Sequence, residues 1–187
     1  MKNIASRHDW LALIDKYYPA GSRLRDIYMG HSRAVADKAL AIVRHKHLAL
    51  DEALVEEAAM LHDIGIFLTN APSIECRGDE PYICHGSLGA DLLRREGFSE
   101  EVARVAERHT GVGLTPDEIE TQGLPLPTGR DYMPRTQLER LICYADKFYS
   151  KGGGSNAEKP LEKARASVAR HGSSSAERFD QLTGEFE

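Results

Sequence analysis

Six side chains have the types and placement to do metal chemistry: His31, His62, Asp63, His85, His109 and Asp146. The 187 residues hold eight histidines but only three cysteines, Cys76, Cys84 and Cys143, and these form no CxxC pair. A disulfide framework or a cysteine zinc site is therefore not expected, and a reducing cytoplasm fits the cysteine usage. Imidazole suits Fe, Zn, Ni and Cu, while carboxylate adds affinity for Mn and Mg.

These residues need scaffolding that turns them toward one another, and the apolar periodicity is helical nearly throughout. Helices are predicted over Arg7–Tyr18, from Ser22 or His31 to His47, and from an Asp51 N-cap to His62, with Gly65 ending the last. Others are predicted over His85–Arg95, Ser99–His109 and Thr136–Ser150. Residues 65–84 read as a long functional or mobile connection, and 110–135 as a second irregular stretch with a short helix capped by Thr115. Gly152-Gly153-Gly154-Ser155 reads as a flexible hinge before one or two polar C-terminal helices. The expected fold is an all-α single domain over 1–187, with a motif-bearing core at about 22–151 and an extension at 156–187. The extension holds no chemical cluster and is read as a packing or homodimer element.

Projection on the 3.6-residue period places His31 with Val35, Ala39 and Ile42, and His62 with Val55, Ala58 and Ala59. His85 lines up with Leu88 and Leu92, His109 with Val102, Val105 and Ala106, and Asp146 with Leu138, Ile142 and Ala145. A single inward histidine is ordinary core. Two inward aspartates are not, because an ionised carboxylate is costly to bury without a cation and no Lys or Arg clearly shares these stripes. A metal ion answers that need. Six donors exceed what one catalytic ion uses, whereas two ions sharing Asp63 as a bridge would use them all; the residue pattern leaves one or two ions open.

The ordered set His31, then Leu61-His62-Asp63-Ile64-Gly65, then Tyr144-Ala145-Asp146-Lys147 resembles the HD superfamily of metal-dependent phosphohydrolases, in its HDIG branch. The resemblance covers about residues 31–151. It implies an HD-domain helical bundle with the metal site between core helices, one ion being held by His31, His62, Asp63 and Asp146. His85 and His109 match two further histidines of a dinuclear subset in which Asp63 bridges the ions. Members similar to this pattern include symmetrical dinucleoside tetraphosphate hydrolases and cyclic-dinucleotide phosphodiesterases, although the Gly-Tyr-Pro signature of the latter is absent here. The function implied is cleavage of a phosphoester or phosphoanhydride of a small molecule, with a nucleotide as the expected substrate. A metal-bound hydroxide would attack phosphorus, with Asp63 as the catalytic residue. The same six donors also serve di-iron oxygenases, the alternative reading, and a non-catalytic nucleotide sensor would show a missing donor, which this chain does not.

A phosphoryl substrate needs cationic partners. Lys147 beside Asp146, Arg33 two residues after His31, and Arg77 in a lid-like loop with Tyr82 are the candidates, with Lys151 one turn beyond Lys147. Cys84 is expected to be a buried, inert thiol. The net charge of −5 and the 41% apolar, 28% charged composition suit a globular protein and offer no platform for duplex nucleic acid or an anionic membrane. No apolar run is long enough to span a bilayer, and no secretory signal is read at the start.

Overall fold

The computed structural model describes residues 9–152 and 157–187, so the predicted start at Arg7, His8 and the hinge residues Gly153, Gly154 and Ser155 lie outside it. Among the described residues nine helices form: α1 (Trp10–Tyr17), α2 (Arg23–His45), α3 (Glu52–Leu61), α4 (His85–Arg95), α5 (Glu100–Arg108), α6 (Pro116–Thr121), α7 (Gln137–Asp146), α8 (Leu161–Ala169) and α9 (Ser173–Phe186). The fold is all-α apart from a two-stranded antiparallel hairpin, β1 (Asn70–Ala71) with β2 (Cys76–Arg77).

Local chemistry sets the helix starts. Asp9, Ser22, Asp51 and Ser99 accept hydrogen bonds from orphan amides of α1, α2, α3 and α5. Thr115 with Glu118, and Thr136 with Glu139, close full capping boxes on α6 and α7. α2 packs along α3 and α7, α5 packs on α3, α4 and α7, and the shared core holds Val35, Ala39, Val55, Ala59, Val102, Ala106, Leu141 and Ile142.

The structure corrects several expectations. Gly65 does not end α3 by a left-handed turn, since it lacks positive φ. It is glycine because a Cβ there would clash with the carbonyl oxygen of His85 and lie 2.5 Å from the amide nitrogen of Gly89. The backbone after Asp63 thus runs against α4. Residues 65–84, a long connection as expected, carry short turns and hydrogen bonds of their own. Thr69 is buried and donates to Ile66, Asn70 N–H reaches Glu80 C=O, and Gly78 fits under Leu68 where a side chain could not. Finally, α7 stops at Asp146 rather than Ser150, and three-residue turns at 147–149 replace its last turn.

The C-terminal segment is two helices packed on the core. Phe179 and Phe186 lie against Tyr144 of α7 with ring centroids 5.5 and 5.6 Å away. Arg178 of α9 donates to Glu118 of α6 at 2.8 Å and to Gly113 C=O at 3.2 Å. Burial works against the Glu118 charge, but the Thr115 amide, Arg178 and Ser174 outweigh it and lower its pKa to about 2. A carboxylate with a depressed folded pKa stabilises above its ordinary value and loses that contribution as pH falls toward the folded one. Glu118→Gln should therefore cost about 2 kcal/mol at pH 7. Chemical denaturation should show the gap from the parent chain closing between pH 5 and pH 2; a gap independent of pH would contradict this account.

Candidate metal centre

α2, α3, α4, α5 and α7 each deliver one part of a buried polar cluster. His31 comes from the middle of α2, His62 and Asp63 from the end of α3, His85 from the first residue of α4, His109 from the end of α5 and Asp146 from the last residue of α7. All six are less than a tenth exposed, and Asp63 and His62 have no exposure at all. Five of the six, all but His31, sit at or just past a helix end.

Two donor groups meet at Asp63. Its Oδ2 lies 3.2 Å from His31 Nε2 and 3.1 Å from His62 Nε2, and Asp146 Oδ1 lies 3.0 Å from His31 Nε2. Its Oδ1 lies 3.4 Å from His85 Nε2 and 3.2 Å from His109 Nε2, which are 3.0 Å from each other. Donors about 2.1 Å from one ion stand roughly 3.0 Å apart at octahedral corners and roughly 3.4 Å apart at tetrahedral ones, so these spacings are those of coordination polyhedra.

The imidazoles are oriented for this. Nδ1 of His62, His85 and His109 faces the carbonyls of Ala59, Tyr82 and Ala106 at 2.6, 2.7 and 2.8 Å. A hydrogen donated there leaves the Nε2 lone pair pointing into the cluster, the usual way a protein fixes a metal-binding tautomer. Two tyrosines steady the turn that carries the doublet: Tyr28 donates to Met60 C=O at 2.6 Å and Tyr18 to Ile64 C=O at 2.9 Å. Sequence periodicity assigned these tyrosines no role.

Electrostatics separates Asp63 from the other buried carboxylates. Glu107 is paired with Arg94 and Arg130, and Glu139 with Arg108 and the amides of Arg135 and Thr136. Neither oxygen of Asp63 has a well-aligned hydrogen bond, although Lys151 Nζ lies 2.7 Å from Oδ2. Burial would raise the Asp63 pKa, yet the adjoining His62 and the Lys151 ammonium hold it well below the usual carboxylate range. Asp146 is likewise held low by Lys147 and Lys151 against the burial cost. Burial together with His109 pushes His85 down to about 3, and burial lowers His109, so both imidazoles stay neutral and able to donate. The residues fit a pair of ions: two groups of donors, joined by one carboxylate, with correctly spaced nitrogen and oxygen atoms.

Beside the cluster lies a cavity of about 470 Å³, reached by His85, His109, Asp146, Lys147 and Lys151. Of the substrate candidates, Lys147 lines it, but its ammonium is tied to Asp146 Oδ2 at 2.6 Å and His109 C=O at 3.1 Å. Arg33 is not brought there. Two residues from His31 is about 200° around a helix, and Arg33 points away to Glu56 at 2.6 Å. Arg77 is also elsewhere, 76% exposed beside Glu75, whereas Tyr82 lines the cavity and stacks on His85 at 4.7 Å. No cation shares the helical stripes of the aspartates, but Lys147 and Lys151 reach Asp146 and Asp63 from beyond the early end of α7. The C-terminal extension also touches the cavity, through His171 and Ser175. Cys84 is buried as expected, and burial raises its pKa.

Residues 28–150 match the HD domain family. The chain is 36% identical over 121 residues to the uncharacterised protein MJ0778 of Methanocaldococcus jannaschii, covering 63% of each. It is 34% identical over 113 residues, 60% of this chain, to a tRNA (cytidine(56)-2'-O)-methyltransferase of Picrophilus torridus, and 31% identical over 137 residues, 73% of this chain, to that of Thermoplasma volcanium. The alignments span 29% and 35% of those two proteins, so the chain matches only part of each curated relative. In fold it is similar to the HD domain of the Listeria monocytogenes phosphodiesterase PgpH, solved in complex with cyclic-di-AMP. That likeness has a TM-score of 0.55 and 17% identity and covers 94% of this chain and 93% of that one. A second PgpH HD domain structure gives the same TM-score at 15% identity, covering 94% of this chain and 95% of that one.

If the two donor groups each take an ion, elemental analysis of freshly purified protein should find about two transition-metal ions per chain. His85→Ala and His109→Ala should each lower that to about one, and Asp63→Ala should lose most of both. An unchanged count in the His85 and His109 variants would make these residues core histidines and nothing more.

Proposed function

The chain belongs to the HD domain family, and on that footing we propose that it is a metal-dependent phosphohydrolase acting on a small phosphorylated molecule, a nucleotide being the first candidate. The observation that carries this reading is the Asp63 carboxylate, whose two oxygens each face a separate set of donors beside a cavity lined by two lysines. His31, His62 and Asp146 would hold one divalent ion, His85 and His109 a second, and Asp63 would touch both. Fe, Mn or another transition metal suits these donors, and Mg is compatible with the carboxylates. When bound, such ions lower the pKa of water and stabilise charge on phosphoryl oxygens.

The chain's own groups supply the rest. Asp63 lies where the two donor sets meet, so it would position an attacking water there and accept its proton. Its low pKa keeps it ionised at neutral pH. Lys147, clamped between Asp146 and the His109 carbonyl, positions the Asp146 carboxylate. Lys151 adds positive charge between Asp63 and the cavity, where negative charge builds on phosphoryl oxygens. Net acidity of the whole chain is no obstacle, because the charge that meets substrate is local.

The cyclic-di-AMP bound by the PgpH domain supports a nucleotide as substrate here. None of the described helices is long and apolar enough to cross a membrane.

A phosphoester panel run with and without oxygen tests the reading. Chelation should abolish turnover and a divalent transition metal should restore it. Asp63→Ala and Asp63→Asn should each cost about 1,000-fold in kcat while far-ultraviolet circular dichroism keeps its helical form. Turnover should persist under anaerobic conditions. Strict dependence on oxygen, with no phosphate released, would overturn the phosphohydrolase reading in favour of an oxygenase.

A further inference from the structure

The cavity beside the donor cluster is chemically divided. Its inner end carries Lys147 and Lys151, and of the two only Lys151 has an ammonium not already tied to a backbone carbonyl of a donor residue. The rest of its lining combines the apolar Ile83, Val112, Leu114 and Leu124 with the polar Gln122 and His171. Among the described residues no further lysine or arginine lines the cavity, and Arg178, which pairs with Glu118 of the lining at 2.8 Å, is committed to that carboxylate and to the Gly113 carbonyl. Glu118 itself lines the cavity, so the outer wall is a carboxylate with its counter-charge behind it.

From this division we propose that the site selects a substrate whose only charged group is a single phosphoryl, held by Lys151 at the inner end and joined to an uncharged, partly apolar group of about nucleoside size. The inference rests on the phosphohydrolase reading above and narrows its substrate class. A second phosphate, or the second half of a dinucleotide, would find no further lysine or arginine on the wall and would share it with Glu118. Burying a phosphate without a partner there is costly, whereas a sugar and a base have an apolar wall to cover. The volume of about 470 Å³ is in the lower half of the roughly 300–1,000 Å³ usual for small-molecule sites, which suits one nucleoside better than two. Lys147 is a positioning residue for Asp146; Lys151 is the one that contacts substrate.

The test measures binding and turnover together on the full metal-loaded chain. The probes are adenosine mono-, di- and triphosphate, a cyclic dinucleotide, glycerol phosphate and inorganic phosphate. Calorimetry should give the monophosphate a preference of about tenfold or more over the others, the scale of one unpaired polar group in a binding site. Lys151→Met should raise KM for the monophosphate about tenfold with a smaller change in kcat, and Lys151→Arg should recover most of the loss. Leu124→Arg, which sets a cation on the half-exposed apolar wall, should narrow the preference over the diphosphate by several-fold.

Equal or tighter binding of the diphosphate, triphosphate or cyclic dinucleotide would overturn this proposal and leave the hydrolase reading intact if those compounds are cleaved. So would an unchanged KM in Lys151→Met, or glycerol phosphate binding as well as the nucleotide. Tight, Lys151-dependent binding of the monophosphate without turnover of any probe would do the reverse: the selectivity would stand and the hydrolase reading would fall. No phosphate-dependent binding at all would end both.

Discussion

The architecture turns on one buried carboxylate that two groups of imidazoles share. Asp63 is fully enclosed, stays ionised and has no arginine partner, whereas the buried Glu107 and Glu139 are each paired with one or two guanidinium groups and Asp146 with the Lys147 ammonium. Such a charge is tolerated only if positive charge comes to it. His31 and His62 approach one oxygen, His85 and His109 the other, and Lys151 stands beside them. Every element that brings these groups in, from α2 to the turn after α7, is constrained by where that carboxylate must be.

The packing serves this constraint at close range. Gly65 and Gly89 let the backbone after Asp63 press against α4, which carries His85 into reach. Tyr18 and Tyr28 stack at 4.2 Å and bind the carbonyls that flank the His62-Asp63 doublet. The loop around Arg130 is fastened to Glu107 and Asp91, and α9 is fastened to α6 through Arg178 and Glu118. Of these ion pairs, the one between Arg178 and Glu118 holds a wall of the cavity. The chemistry is rigid at its centre and built from several chain segments at its rim.

Much of the centre was legible in the sequence because its donors ride on helices whose apolar stripe is regular. His31, His85 and His109 fall on those stripes, and projection alone brings them inward. What projection could not reach lies beyond helix ends. Lys151 enters the site because α7 stops four residues early, and nothing in the periodicity of Thr136–Ser150 marks that stop. Arg33 was misplaced although its two-residue offset from His31 already turns it outward. Gly65 looked like a helix terminator, and its real role, a close approach of two backbones, is a long-range contact without a local signal. His171 and Ser175 reach the cavity only through the tertiary docking of α9, for the same reason.

The central claim is that Asp63 joins two ion sites into one centre. Anomalous diffraction from crystals of the manganese-loaded protein measures this most directly. The account calls for two peaks roughly 3.5–4 Å apart, one among His31, His62 and Asp146 and the other against His85 and His109, with the Asp63 carboxylate between them. A single peak with His85 and His109 left uncoordinated, or two peaks that do not share Asp63, would contradict it.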